Sequence, residues 1–546
     1  MNLESLRPAA IFAILLIAIS DKAGQAQNRS GDPDIIRVIT TTLAGSKMQG
    51  RGTGEPGGDQ AAKYIAQQFA RIGLKPGGDD STYFQRLKVQ VRIPLPETAL
   101  VIQNHSFGLR RDFGIAQPPP PYQLAKVTGD IVFVGYGVVS PELHRDDLAG
   151  IDVAGKIVML LEGKPENADP QVWDKVAAQR VVYGRLIERG ARGFVVVWNG
   201  DISHFPSVAA FLSNRSVGFS EDLPYPVRPA RWGLELLDPE YRLPTSLLAS
   251  VQTAEQIFLM SSSSFAESKR RAESGEFVSK DLRLTAAISP KVRNEEQTSS
   301  NVIGVLEGSD PVLKSQAVVY TAHYDAYGVD EQGTVFPGAT DNALGVGKLL
   351  AVAARFAREK SRPRRSILFL ASTGEEYGDL GTGHWLRHPT WPLENVAADI
   401  NFDGNPMELW GRVGFVINFS FGQSDLGPIV RRVAAAQGLA VIPDPAPEEE
   451  LFTRGDHWAF VQRGIPALYL MGGPLDPAVE ERMAQWQANH YHMPTDSMQP
   501  GWNWEGPRQM AELGFEIGRQ AADQNTMPQW RPGSKFNHPR GTDLAR

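Results

Sequence analysis

The stretch SQAVVYTAHYDAYGV, residues 315–329, begins as an apolar run and ends in polar, glycine-bearing chain. A run of this kind reads as a strand buried on both faces. It runs out at His323, with Asp325 two residues further on. Comparable runs recur at RSILFLAST (365–373), NVAADINFD (395–403), GRVGFVINFS (411–420) and IPALYLMGG (465–473). Helical patterns lie among them at DNALGVGKLLAVAARFARE (341–359), DLGPIVRRVAAAQG (425–438) and WEGPRQMAELGFEIGRQAADQ (504–524). Buried strands alternating with helices predict an α/β layered domain. In such sheets ligands bind beyond the carboxyl ends of the strands, so the residues that follow each strand matter most.

Those residues are acidic or imidazole. His323 and Asp325 follow the first run, Glu375 and Glu376 the second, and Asp403 the third; His492 and Asp496 come in HYHMPTDS after the last, and Asp341 opens a helix. Each has an ordinary explanation alone: Asp341 as a helix N-cap, Asp403–Gly404 as a turn, the glutamate pair as a solvated face. Their convergence on one rim favours a joint role. Two imidazoles and several carboxylates, without thiolates, suit zinc and also tolerate manganese or cobalt. A pair of cations needs a bridging carboxylate, and Asp341 at a helix start is placed for it. One glutamate then ligates while its neighbour takes a proton from water. Asp325 is expected behind His323, accepting its free ring N–H.

The 546 residues exceed what one core comfortably holds, so at least two packed units are expected. A net charge of -7 without a basic block argues against a nucleic-acid partner. There are no cysteines, which excludes disulfides and thiolate chemistry. The start reads as a signal peptide, residues 1–26: Arg7, the apolar AAIFAILLIAIS, then small residues before a cleavage point after Ala26. The apolar run is short for a bilayer span, so the mature chain is expected off the membrane, secreted or periplasmic in a bacterium. GGDQAAKYIAQQFARIGLKPGG (57–78) predicts an amphipathic helix through Ala62, Ile65, Phe69 and Ile72 that stops at Gly73. The four prolines of AQPPPPYQLAK (116–126) mark a boundary. A β-rich domain is expected over 121–285, between an N-terminal piece (27–120) and the main body (286–525) of the catalytic domain. A loosely held tail, 526–546, follows.

AHYD, GATDNALGV, STGEE, INFDG, RGDHWAF with GIPALYL, and YHMPTD, in this order, resemble the co-catalytic di-zinc aminopeptidases, a family that also includes glutamate carboxypeptidases and, more distantly, glutaminyl cyclases. The stretch 129–161 resembles the protease-associated domain often inserted in that family, and MQGRGTGEPGGDQAAKYIAQQFARIGLKPGG (48–78) resembles its usual N-terminal helix, which would belong to the catalytic unit although it precedes the insert. The resemblance implies a mixed-sheet α/β zinc-exopeptidase (phosphorylase/hydrolase-like) fold and two Zn2+ per chain. One would be held by His323, Asp341 and Asp403, the other by Asp341, Glu376 and His492. Glu375 matches the general base and Asp325 the residue behind the first histidine. His490 is a rival to His492, and Asp456 and His457 are expected as support near the site. Thr340 stands where an acidic residue is frequent, and Leu344 where a small polar one is. The implied substrate is a peptide. Aminopeptidase activity leads, with carboxypeptidase second (Arg454 being a candidate for gripping a terminal carboxylate) and glutaminyl cyclisation third.

Overall fold

The computed structural model describes residues 34–115, 126–169, 172–173, 176–177, 179–200, 205–220, 244–447, 450–476 and 478–542. The expected signal peptide and the proline run lie outside these residues. The chain divides into two compact units, one of residues 90–296 and the other of the chain before and after it. Among the described residues no helix is long and apolar enough to cross a membrane.

In the larger unit, helices α1 (Ile35–Leu43) and α2 (Pro56–Ile72) come first. Pro56 sits at the start of α2, where its missing N–H costs nothing. Gly73, at φ 87°, ends it in the left-handed conformation that glycine adopts freely. Ala62, Ile65 and Phe69 are buried as the periodicity predicts. The chain leaves along β1 (Phe84–Pro94) and returns along β2 (Val292–Leu306). There follow β3 (Ala317–His323), α3 (Leu344–Arg358), β4 (Ser366–Ser372), α4 (Leu380–Arg387), β5 (Val396–Asn401), β6 (Val413–Asn418), α5 (Leu426–Ala436), β7 (Ala440–Pro443), α6 (Asp456–Val461), β8 (Ala467–Pro474), α7 (Ala478–His490) and α8 (Glu505–Asp523).

The strands lie side by side in the order β1-β2-β4-β3-β5-β8-β6-β7. The central four are mutually parallel, with Ala317 to His323 in register with Ser366 to Ser372, and Asp399 to Asn401 with Ala467 to Tyr469. Their carboxyl ends therefore share one edge, where His323, Glu375, Glu376 and Asp403 emerge. Strand side chains alternate between faces. Val318, Tyr320 and Ala322 join the core formed with α1, α2, α3, α5 and α8. The Tyr320 ring stacks between Phe369 (5.5 Å) and Phe402 (5.9 Å), and its hydroxyl donates to Gly514 O. On the other face Thr321 bonds Asp399 and Asn401, and α6 packs against β3 and β5.

The 90–296 unit has its own sheet. Its four parallel strands, Val127–Phe133, Ile157–Leu161, Gly193–Val197 and Thr245–Ala249, are flanked by antiparallel ones, and its core includes the ring cluster Phe133, Phe258 and Phe265. This unit reaches further upstream than 121, because Ala99–Ile102 pairs with Lys280–Ser289 and Phe113–Ile115 with Thr245–Ala249. Both pairings are remote in sequence, so no local signal announces them.

Over residues 526–542 the tail is held down rather than loose. Trp530 and Phe536 are buried against each other, and Arg540 donates to Val396 O and Ala397 O. Two aromatic anchors and a guanidinium outweigh the local polarity that suggested otherwise.

Candidate metal centre

Each side chain of the rim is placed by a strand end. β3 delivers His323 as its last residue, fully buried. Two residues on, Asp325 lies behind it: His323 Nδ1 is 3.3 Å from Asp325 O and 3.6 Å from Asp325 Oδ1. Asp325 is itself fixed by Thr53 Oγ1, donating at 3.2 Å, and by the Glu375 N–H, also at 3.2 Å. The other ring nitrogen, His323 Nε2, faces three carboxylates: Asp341 Oδ1 at 3.2 Å, Asp403 Oδ1 at 3.4 Å and Glu375 Oε2 at 3.8 Å.

Asp341 is central. Its Oδ1 faces His323, while its Oδ2 is 3.1 Å from His492 Nε2. His492 Nε2 is in turn 3.3 Å from Glu376 Oε2. One carboxylate thus stands between two imidazoles, with one oxygen toward each. His490 instead packs on Trp486, ring centroids 4.2 Å apart.

The ordinary reading of Asp341 as an N-cap does not hold, and the helix it was expected to open begins three residues later. α3 starts at Leu344, after a wide turn spanning Ala339–Ala343, and the capping bond comes from Asn342, whose Oδ1 accepts the Gly345 N–H while its Nδ2 donates to Phe402 O. Asp341 is thereby released to point into the rim. Its backbone is held by Asp496, which accepts from Thr340 N, Thr340 Oγ1 and Asp341 N. Thr340 is a partner of that carboxylate, and Leu344 is core. The loops carrying Asp341 and Asp403 touch so closely that a Cβ on Gly404 would lie 1.6 Å from Thr340 O, which requires glycine there.

Three contributors carried no sequence assignment. Arg51 is fully buried and donates to the carbonyls of Leu43, Tyr324, Pro337 and Gly338, tying the loops before Asp325 and Asp341 to α1. Thr53 positions Asp325, and the Tyr327 hydroxyl donates to Glu376 Oε2 at 2.6 Å. Arg51 and Thr53 lie in the glycine-rich MQGRGTGEPGG, where a lone arginine was the available signal; Tyr327 lies in the opening stretch. Asp456 accepts from Ser372 and Thr382, and His457 contacts Phe452 O and Asn401, so both brace strand ends.

The electrostatics are those of a crowded anionic pocket. Burial alone would lower the His323 pKa, but Asp325, Asp341 and Asp403 outweigh it and hold the imidazolium well above its ordinary range. Burial, followed by the Asp341 charge, pushes Glu376 well up. Burial also raises Asp341, yet His323 and His492 overcome this and hold it far below the usual carboxylate value. Among the described residues two groups have metal-holding spacing: His323 with Glu375 and Asp403, and His323 with Asp341 and Glu376. His323 Nε2 and Glu376 Oε1 are buried without a hydrogen-bond partner. Orphaned nitrogen and oxygen donors among surplus negative charge fit zinc.

The sheet is covered on both faces, and imidazoles and carboxylates gather at the ends of its parallel strands, an arrangement able to hold metal ions. Residues 301–517 match the family model described as Peptidase family M28. Aminopeptidase YwaD of Bacillus subtilis is 31% identical over 211 residues, covering 37% of this chain and 40% of the relative. A vacuolar membrane protease of Lachancea thermotolerans is 27% identical over 169 residues, covering 31% of this chain and 16% of that protein. The chain thus matches well under half the length of these curated relatives. Among solved structures, the aminopeptidase from Aneurinibacillus sp. strain AM-1 superposes with a TM-score of 0.55 at 18% identity, covering 92% of this chain and 96% of that one. BSAP, a zinc aminopeptidase from Bacillus subtilis, gives 0.54 at 18% identity, covering 92% and 98%. These two likenesses establish the fold.

Proposed function

We propose that the protein is a secreted or periplasmic aminopeptidase that uses a pair of zinc ions to remove N-terminal residues from peptides. The observation that carries this reading is the Asp341 carboxylate, with oxygens 3.2 and 3.1 Å from the Nε2 atoms of His323 and His492. A carboxylate so placed could bridge two cations. One ion would be held by His323, Asp341 and Asp403, the other by Asp341, Glu376 and His492. Bound zinc supplies Lewis acidity, polarising the scissile carbonyl and making water a better acid.

The protein's own groups do the rest. Glu375 takes the proton of the attacking water and returns it to the leaving amine. This role is supported by its place on the His323 side, 3.8 Å from Nε2, while its neighbour Glu376 is engaged by Tyr327 and His492. Asp325 holds His323 with Nε2 directed inward. The free amine of a peptide is drawn to a pocket rich in carboxylates. The aminopeptidase names of the relatives favour this reading over a carboxypeptidase or a cyclase. The leader at residues 1–26 supports export, and we assign residues 90–296 as the protease-associated insert.

The test is elemental analysis of the mature protein, together with hydrolysis of a panel of aminoacyl p-nitroanilides before and after chelation. Two zincs per chain and chelator-sensitive release are expected. No metal and no release from any substrate would refute the reading.

A further inference from the structure

Two guanidinium groups lie at the edge of the larger sheet opposite the metal centre, where the parallel strands begin. Ala317, which opens β3, pairs with Ser366 of β4 on one side and with Val396 of β5 on the other. Arg365 directly precedes Ser366, and Arg540 donates from Nη1 to Val396 O at 2.7 Å and to Ala397 O at 3.1 Å. These anchor points stand two strand spacings apart, about 10 Å, a gap that two arginine side chains span together. Arg365 has no exposed surface.

Each head is held by only part of its donor set. Arg365 Nε donates to Gln316 Oε1 at 2.8 Å, and its Nη1 to the carbonyls of Ala521, Ala522 and Gln524 at the end of α8. Arg540 spends Nη1 as above and Nη2 on Pro528 O. What remains is Arg365 Nη2 and Arg540 Nε, both buried and without a hydrogen-bond partner. The two carboxylates whose charge bears on Arg365 are already paired, Asp310 with Arg364 at 2.9 Å and Asp523 with Arg519 at 2.6 Å. Burial, followed by the Arg365 charge, lowers the Arg540 pKa to about 10, so both heads are cations at neutral pH.

Water could satisfy the two orphaned donors but not the two charges. Burying like charges without a counter-ion costs more than an unmade hydrogen bond, and a guanidinium does not escape by losing its proton. The leftover donors also select the shape of the anion. A carboxylate or phosphate is gripped by two nitrogens of one planar fork. In Arg365 the Nε and Nη1 are spent, and in Arg540 both Nη are, so neither offers a fork. One nitrogen from each of two heads suits a single round atom.

We propose that Arg365 and Arg540 together hold a small monatomic anion, chloride in ordinary salt solutions, which clips the 526–542 tail and the end of α8 to the amino ends of β3, β4 and β5. The site is independent of the metals and of the reaction assigned to them.

The test uses the full-length protein. Crystals soaked in bromide should show an anomalous peak between Arg365 Nη2 and Arg540 Nε. Melting is compared in sodium chloride and in sodium gluconate, whose anion is too large for the site, at equal ionic strength. Chloride should raise the melting temperature saturably, by about 2–4 °C at a tenfold excess over its dissociation constant. Arg540→Met should abolish that chloride-specific rise and leave zinc content unchanged. Equal melting of the wild type in the two salts, a rise that never saturates, or one that persists in Arg540→Met would overturn the proposal. No bromide peak at the pair would do the same, as would a peak without the melting shift, which would mean an adventitious ion only. Should Arg540→Met not fold, the wild-type peak and the saturable shift still decide.

Discussion

Replacing Arg51 with Met would keep the length of the side chain and remove its head. Arg51 has no exposed surface, and its Nε, Nη1 and Nη2 donate to four carbonyls: Tyr324, Leu43 and Pro337 (2.8 and 2.6 Å, both from Nη1), and Gly338 (2.8 Å). Burial lowers its pKa to about 10, with Asp496, Asp325, Asp341 and Glu376 acting against that fall, so it remains a cation at neutral pH. A buried acceptor stripped of its donor costs roughly 1–3 kcal/mol. Carbonyls relax or recruit water more readily than N–H groups, so about half the gross loss is a fair expectation, on the order of 3–5 kcal/mol. That is also the scale for removing one partner of a buried charge network.

At about 2–4 °C per kcal/mol, Arg51→Met should melt on the order of 10 °C below wild type. The two loops it ties lead to Asp325 and Asp341, so zinc affinity should fall with stability. Differential scanning calorimetry with and without zinc, alongside chelator competition, measures both. Arg51→Lys separates charge from geometry: a single ammonium cannot reach four carbonyls, so most of the loss should persist. If Arg51→Met melted within ~1 °C of wild type and bound zinc normally, the assignment of Arg51 as the tie between these loops would be wrong.

Asp341→Ala should lose both metals and all turnover together, because this carboxylate faces both imidazoles; retention of one tightly bound zinc would argue against a bridge. The metal-free protein should become less stable as pH rises above about 5. Burial raises Glu376 well above its ordinary value and pushes Asp456 and Asp496 up to about 7, while its carboxylate neighbours raise His323. In each case the folded state holds a proton that the unfolded state has released, so stability falls as pH climbs toward the folded pKa values. Zinc should flatten that slope, and urea melts at several pH values with and without zinc would reveal a discrepancy.

Much of the rim was legible because its logic is local. His323 closes an apolar strand, and Glu375, Glu376 and Asp403 follow two others within a few residues, so the strand-end rule finds them without tertiary knowledge. What escaped depends on contacts remote in sequence. Arg51 acts on Tyr324 O from 273 residues away, and Asp496 acts on Thr340 from 156. The start of α3 was placed too early because Asp341 and Asn342 are both good cap residues, and only the fold decides that Asn342 caps while Asp341 faces the histidines. The tail was misjudged for a similar reason: Trp530, Phe536 and Arg540 count only once their partners are in place.

Glu375 and Glu376 put the proposed division of labour to its sharpest test. They sit in one turn of 3₁₀ geometry, Glu375–Tyr377, where successive side chains diverge by a third of a turn. Glu375 is accordingly directed toward His323, and Glu376 toward Tyr327 and His492. Substituting Gln at each position changes charge with little change in shape. Glu375→Gln should keep both zincs and lose about 10²–10⁴-fold in turnover, the worth of a general base. Glu376→Gln weakens a ligand and asks the Tyr327 proton to share a neutral acceptor, so metal content should fall toward one per chain. Elemental analysis paired with single-turnover kinetics distinguishes the two variants. If Glu375→Gln lost a metal while Glu376→Gln kept both, the roles of the pair would have to be exchanged, and the grouping of Glu375 with His323 and Asp403 would become the more telling geometry.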